Sequence, residues 1–379
     1  MSHSLIELGR VFLRIGATSF GGPAAQLALM EEELVHRRAG LTHPEFLDLI
    51  GAANLVPGPN STEVALHVGR VRAGLRGLIV AGLCMILPAF ISVLMIAWFY
   101  VRFGSRPEVA GVLDGIKPVV LAVVAQALIR ISRPALGRSR VCGVLGFAAL
   151  AASLMYPGRD LAIVLCAGIL SIAWSERSFR IGRGGGAGLL LAASPAAAVG
   201  AASIAAPSTL GLFLVCFRIG ATLFGSGYVL LSYLRSEFVI ARGWLSETQI
   251  LDAVAVGQVT PGPLFTSATF VGYLLGGWIG AVAATVGIFL PAFLLVAVSG
   301  PLVPILRRSR GTAAFLDGVN AASVGLMAAV TIGIGMSTKD DPAAIALFIT
   351  ACLALFDGRI GSVRLILIGA VLGAVRTLF

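Results

Sequence analysis

A chain of 379 residues that is 58% hydrophobic and only 12% charged, with a mean hydropathy of +0.96, exceeds the roughly 45–50% apolar content of soluble domains and reads as an all-α polytopic membrane protein. Its net charge of +10 comes mostly from arginines in short loops, the pattern that marks cytoplasmic sides, so nucleic acid is not the natural partner. The cysteines (Cys84, Cys142, Cys166, Cys216, Cys352) stand singly in apolar runs, without metal-site spacing, and neither metal nor cofactor is expected.

The opening MSHSLIELGRVFLRIGATSFGGP lacks the compact basic region, apolar run and small-residue cleavage site of a secretory signal and reads as mature protein. Apolar runs near the length of about 20 residues that crosses a bilayer place spans at 5–29, 44–68, 76–101, 108–131, 140–156 and 160–175. A second set follows at 208–232, 248–272, 278–303, 312–336, 342–356 and 361–378. Between them, the uncharged Ala/Gly-rich stretch 186–206 is either a thirteenth span or a loose connector.

The two sets are copies. RIGATSFG (14–21) recurs as RIGATLFG (218–225), and at the same offset of 204 Glu33 meets Glu237, Asp48 meets Asp252, and Pro-Gly-Pro 57–59 meets Pro-Gly-Pro 261–263. After a one-residue deletion, PAF 88–90 matches PAF 291–293 and LDG 113–115 matches LDG 316–318. Internal duplication is the usual construction of secondary transporters. Three units follow: a repeat over 1–180, a linker over 181–206, and a second repeat over 207–379.

Loop arginines orient the copies. Arg70, Arg72 and Arg76 precede the third span and Arg130, Arg133, Arg138 and Arg140 follow the fourth, whereas in the second copy Arg307, Arg308 and Arg310 fill the loop between the matching spans. Positive charge thus falls on opposite sides, which predicts an inverted repeat with the amino terminus inside. An odd number of crossings must separate the halves, so the linker is counted as spanning, for about thirteen helices. The second span of each half is either a crossing or re-entrant.

Pro-Gly-Pro ends one half-helix and starts another. In lipid such a break is tolerated only where the backbone faces protein or a polar cavity, and a helix amino terminus suits an anion. Candidate substrate contacts are therefore Gly58, Asn60, Ser61 and Thr62 after the first break and Gly262, Thr266 and Ser267 at the second. Gly21 and Gly22 in SFGGP and Gly225 in LFGSG join them. The alternative is a set of simple helix kinks.

Arg14 and its copy Arg218 lie inside the first span of each half, where a charge needs a counterion or a substrate. Glu7 is a same-face partner for Arg14, while Arg218 has no acid at the matching point. Lys117, with Asp114 one turn away and Asn320 as its copy, is the other candidate cation. Asp48, Asp252, Asp114 and Asp317 are candidates for proton coupling, or else partners of these cations. No nucleophile elbow, P-loop, dinucleotide fingerprint or HExxH occurs in the sequence, which argues against an enzyme or an ATP-driven motor.

RIGATxFGG, a loop containing Glu, then LT or LS, VPGPNST or TPGPLFT, PAF and LDG together resemble the chromate ion transporter family in its long two-domain form, over nearly the whole chain. The resemblance implies a multi-pass inner-membrane carrier that exports chromate with the proton motive force, has sulfate as a structural mimic, and confers chromate resistance. Ser226 and Gly227 replace the second GGP, which weights the site toward the first half. A sulfate importer or exchanger, or a membrane-embedded enzyme or scaffold, is the alternative reading. The expected partners are chromate or sulfate, protons and the lipid bilayer, and oligomerisation is left open.

Overall fold

A computed structural model of the protein describes residues 5–20, 22–37, 40–104, 106–180, 207–224, 227–299, 309–337, 341–358 and 360–376, and among these every regular element is helical. The first half contains α1 (Leu5–Thr18), α2 (Pro23–Glu31, continued by a π-helical turn Glu32–Arg37), α3 (His43–Ala53), α4 (Asn60–Phe103), α5 (Pro107–Leu136), α6 (Arg140–Met155) and α7 (Asp160–Arg180). The second contains α8 (Thr209–Thr222), a 3-10 turn Gly227–Val229 leading into α9 (Leu230–Leu234) and a π turn Arg235–Ile240, then α10 (Glu247–Val259), α11 (Ser267–Ser299), α12 (Arg310–Ser337), α13 (Pro342–Asp357) and α14 (Ser362–Arg376). The linker reading and Gly21 and Gly225 fall outside the described residues.

Four helical stretches, 60–103, 109–136, 264–298 and 310–336, are long and apolar enough to cross a membrane. The expected spans 5–29 and 44–68 are each two helices, parted at 19–22 and 54–59, and their copies are parted in the same places. Hydropathy averages over a break of this kind, because the residues on both sides of it are apolar. The 44 residues of α4 would run to about 66 Å if straight, twice the apolar thickness of a bilayer. They are not straight: Ala73 and Gly74 leave helical geometry, and Gly74 takes a φ of 60° that glycine alone adopts freely. The chain doubles back there, so closely that a β-carbon on Gly69 or Gly77 would strike the other's carbonyl. The reversal recurs at Gly276 and Gly277, with Gly272 against Gly280.

Local signals match as well. Thr42 and Glu45 form a capping box at the start of α3, and Ser246 and Gln249 form the same box on α10, each satisfying two otherwise orphaned amides.

Packing interlocks the halves. Helix α1 lies on α4, α8 lies on α11, and α4 and α11 meet. Beyond this centre the copies exchange partners: α5 packs on α13 and α14, while α12 packs on α6 and α7. Small residues make the close seams, Gly115 against Gly369 and Gly373, and Gly318 against Ala167, as in other bilayer-embedded interfaces. The last turns of α5 meet the first turns of α12, where Arg138 pairs with Asp317 at 2.9 Å.

Candidate functional site

The two Pro-Gly-Pro breaks are stitched to the opposite half. Gly58 donates its N–H to the Leu223 carbonyl at 2.8 Å, and Gly262 donates to the Ser19 carbonyl at 3.0 Å. These are copies of one bond, because Ser19 and Leu223 occupy equal positions in the breaks after α1 and α8. Both amides are therefore occupied, and the donors for a ligand must come from elsewhere.

An open cavity of ≈ 700 Å³ lies beside this crossing. Pro23 and Asn60 on its wall bring the amino ends of α2 and α4 to it; Asn54 and Tyr228 add polar groups, α5 contributes Gln126 and Arg130, and the turn after it contributes Arg138. Helix α12 closes the far wall with Asp317, Asn320 and Ser323. Asn60 donates to Asn54 across the break at 2.8 Å. Arg138 is neutralised by Asp317, but Arg130 has no carboxylate in ion-pair reach among the described residues. Two helix amino ends and a cation with no carboxylate partner give the cavity a positive field suited to an anion with several oxygens. Gly22 completes the wall of the break: its φ is 85°, and a β-carbon there would press against the Tyr228 hydroxyl.

Of the residues expected at the site, Asn60 and Asp317 reach the cavity wall. Ser61 is buried, with its hydroxyl on the Gln26 side chain, which also bonds the Gly262 carbonyl. Thr62 is buried with its hydroxyl unbonded among the described residues. Thr266 and Ser267 turn their hydroxyls onto the carbonyls of Pro263 at 2.7 Å and Leu264 at 2.9 Å, so both are spent inside their own helix start.

Neither expected arginine lines the cavity. Arg14 meets Glu33 at 3.4 Å, and Glu33 also binds Arg37 at 3.2 Å. Arg218 pairs with Glu237, which also holds Arg242. The acid missing beside Arg218 in the sequence is thus the copy of Glu33, brought in from the π turn 19 residues along. Lys117 bonds Asp114 at 2.8 Å, outside the cavity. Asp252 is buried and accepts from the Tyr100 hydroxyl at 2.9 Å, whereas Asp48 is exposed.

Two arginines read as loop charges are structural: Arg70 donates to the carbonyls of Val296 and Ala297, and Arg72 to that of Gly40. Arg130, placed with them in the sequence, stands inside α5. Gln26, Asn54, Tyr228 and the buried Glu63 carry no repeat signature; the signal in the sequence that points to them is their place next to the breaks.

The sequence profile described as chromate transporter matches residues 6–172 and again 210–374. The chromate transport protein of Pseudomonas aeruginosa is 34% identical over 345 residues, 87% of this chain and 80% of that one. That of Cupriavidus metallidurans is 29% identical over 377 residues, 99% of this chain and 94% of the relative. A probable chromate transport protein of Synechococcus elongatus is 28% identical over 389 residues, 99% and 96%. No solved structure matches. With both halves matched by one profile and relatives similar along nearly their whole length, this multi-pass membrane protein belongs to the chromate transporter family.

Proposed function

We propose that the protein carries chromate and similar tetrahedral oxyanions across the membrane by way of the cavity between α5, α12 and the first break, exporting them with the proton motive force and thereby conferring chromate resistance. The observation that carries the reading is the convergence of Arg130 with the amino ends of α2 and α4 on one open cavity. Arg130 supplies charge and a forked donor, Asn54 and Asn60 supply amides, and the helix ends supply a fixed positive field. Arg14 and Arg218, each held by a glutamate, fix the geometry of the breaks and do not touch the anion. The proton-coupled direction and sulfate as a competitor come from the family resemblance.

Alternating access follows from rocking one half against the other. An inverted repeat of about thirteen crossings is supported by the reversed loop arginines and by the way the end of α5 meets the start of its copy α12.

The test is chromate accumulation in everted vesicles energised by respiration. The wild type accumulates chromate, excess sulfate competes and a protonophore abolishes uptake, while Arg130→Gln lowers uptake at least about tenfold at equal protein level. Full uptake by Arg130→Gln removes this cavity from the path. No uptake by folded wild type rejects the exporter.

A further inference from the structure

The first arm of α4 carries a polar face that its copy lacks. Asn60, Glu63, His67 and Arg70 follow one another at intervals of three, four and three residues, so they share one side of the helix. Asn60 stands on the cavity wall. One turn deeper Glu63 is fully buried, its carboxyl against Gly58. Neither carboxyl oxygen has a hydrogen-bond partner among the described residues, and the same holds for Nε2 of His67, which is 4% exposed. Arg70 is half-buried at the far end of the arm, bonded to the Val296 and Ala297 carbonyls. The face thus runs wet, dry, dry, half-wet over about 15 Å. In the second half the corresponding region, LFTSATFVGY, holds no titratable group before Tyr273.

A buried polar group is ordinarily bonded, and one that is not needs a reason. Among the described residues, packing supplies no counterion. Helix α11, laid along α4, contains no charged residue, nor does the 3-10 turn Leu264–Thr266. On α1, Arg14 is held by Glu33, and Glu7 and Arg10 lie exposed. On α2, Glu31 meets His43. On α3, Glu45 caps Thr42 and Asp48 is exposed. On α10, Glu247 binds Arg235 and Asp252 binds Tyr100. Of the four aspartates weighed for coupling, Asp114 and Asp317 are ion-paired and Asp48 is exposed, while Asp252 is buried with one oxygen unbonded among the described residues but holds the Tyr100 hydroxyl on the other, a donor that Glu63 lacks.

We infer that Glu63 is the residue that binds the coupling proton, and that His67 relays that proton along the first arm of α4 between the cavity and the Arg70 end. Glu63 takes the proton on a carboxylate oxygen to become the neutral acid, then releases it to water or to the His67 ring nitrogen as the conformation changes, with no other bond made or broken. The carrier has one such site, in the first half, although its scaffold is doubled. The inference rests on the proton-coupled carrier reading above.

The test uses the full chain in proteoliposomes with chromate and two readouts: exchange of labelled for unlabelled chromate at equal pH, and accumulation driven by an imposed pH difference. Glu63→Gln exchanges within about threefold of the wild type but loses accumulation at least about tenfold, and His67→Gln loses part of it. Glu63→Gln that accumulates like the wild type overturns the inference and leaves proton coupling standing. Wild type that exchanges chromate yet ignores the pH difference overturns the coupling reading, and Glu63 with it. If Glu63→Gln does not reconstitute, Glu63→Asp keeps accumulation with a displaced pH profile, and an unchanged profile overturns the assignment.

Discussion

The two breaks share a backbone and differ in what their side chains do. At the second, Thr266 and Ser267 are fully buried with their hydroxyls on carbonyls of the same turn, and Leu264 stands where the first half has Asn60. At the first, Asn60 and Asn54 face the cavity and Glu63 is left unbonded among the described residues. Duplication gave a symmetric frame, and substitution then sealed one break and left the other chemically open. On the reading proposed above, the first break alone carries the site.

The sharpest way to break this comparison is at the ion pairs beneath it. Glu237 neutralises Arg242, whose side chain is only 12% exposed, whereas Glu33 neutralises Arg14 and Arg37, which are 60% and 54% exposed. Glu237→Gln strands a buried charge and lowers stability by about 3–5 kcal/mol, while Glu33→Gln costs about 1 kcal/mol because water takes over its arginines. Thermal unfolding of the detergent-solubilised variants reads the difference, and equal losses would show the halves to be equivalent here.

Exchanging residues between the breaks is the next test. Asn60→Leu, which copies the second half into the first, weakens chromate uptake about five- to tenfold through loss of one polar contact, and Leu264→Asn leaves uptake unchanged. Uptake that responds to both would mean that the second break also faces substrate. The smallest effect belongs to what the halves have in common: Thr42→Ala and Ser246→Ala each remove a helix cap and cost about 1 kcal/mol, equally, with uptake untouched.

Much of this frame is legible in the residues. The repeat, the glycine-marked breaks and the pairing of Glu33 with Glu237 all follow from matched positions, because duplication preserves spacing. Matched acids point to the aspartate pairs for the same reason, and that rule passes over Glu63, whose counterpart is Ser267. Arg130 was hidden differently. Loop charge and cavity charge look alike in sequence, and only the meeting of the end of α5 with the start of α12 sets them apart. Arg218 has no acid one heptad back, where Arg14 has Glu7, because its partner Glu237 lies beyond the break, where helical periodicity no longer carries. The long apolar run of α4 concealed a reversal that rests on Gly74 and the Gly69–Gly77 contact.

The exchange of helices between the halves also has consequences for biogenesis. Helix α5 finishes at Leu136, but the helices it packs on lie at 342–357 and 362–376, so the ribosome must add about 240 residues before they are complete. At cytoplasmic elongation speeds of about 5–20 residues per second this lasts roughly 10–50 s. Until then Gly115 of α5 lacks its Gly369 and Gly373 partners, and α6 and α7 lack α12 until residue 337 is made. Neither half reaches its final packing alone, because the helices that cover α5, α6 and α7 all come from the second.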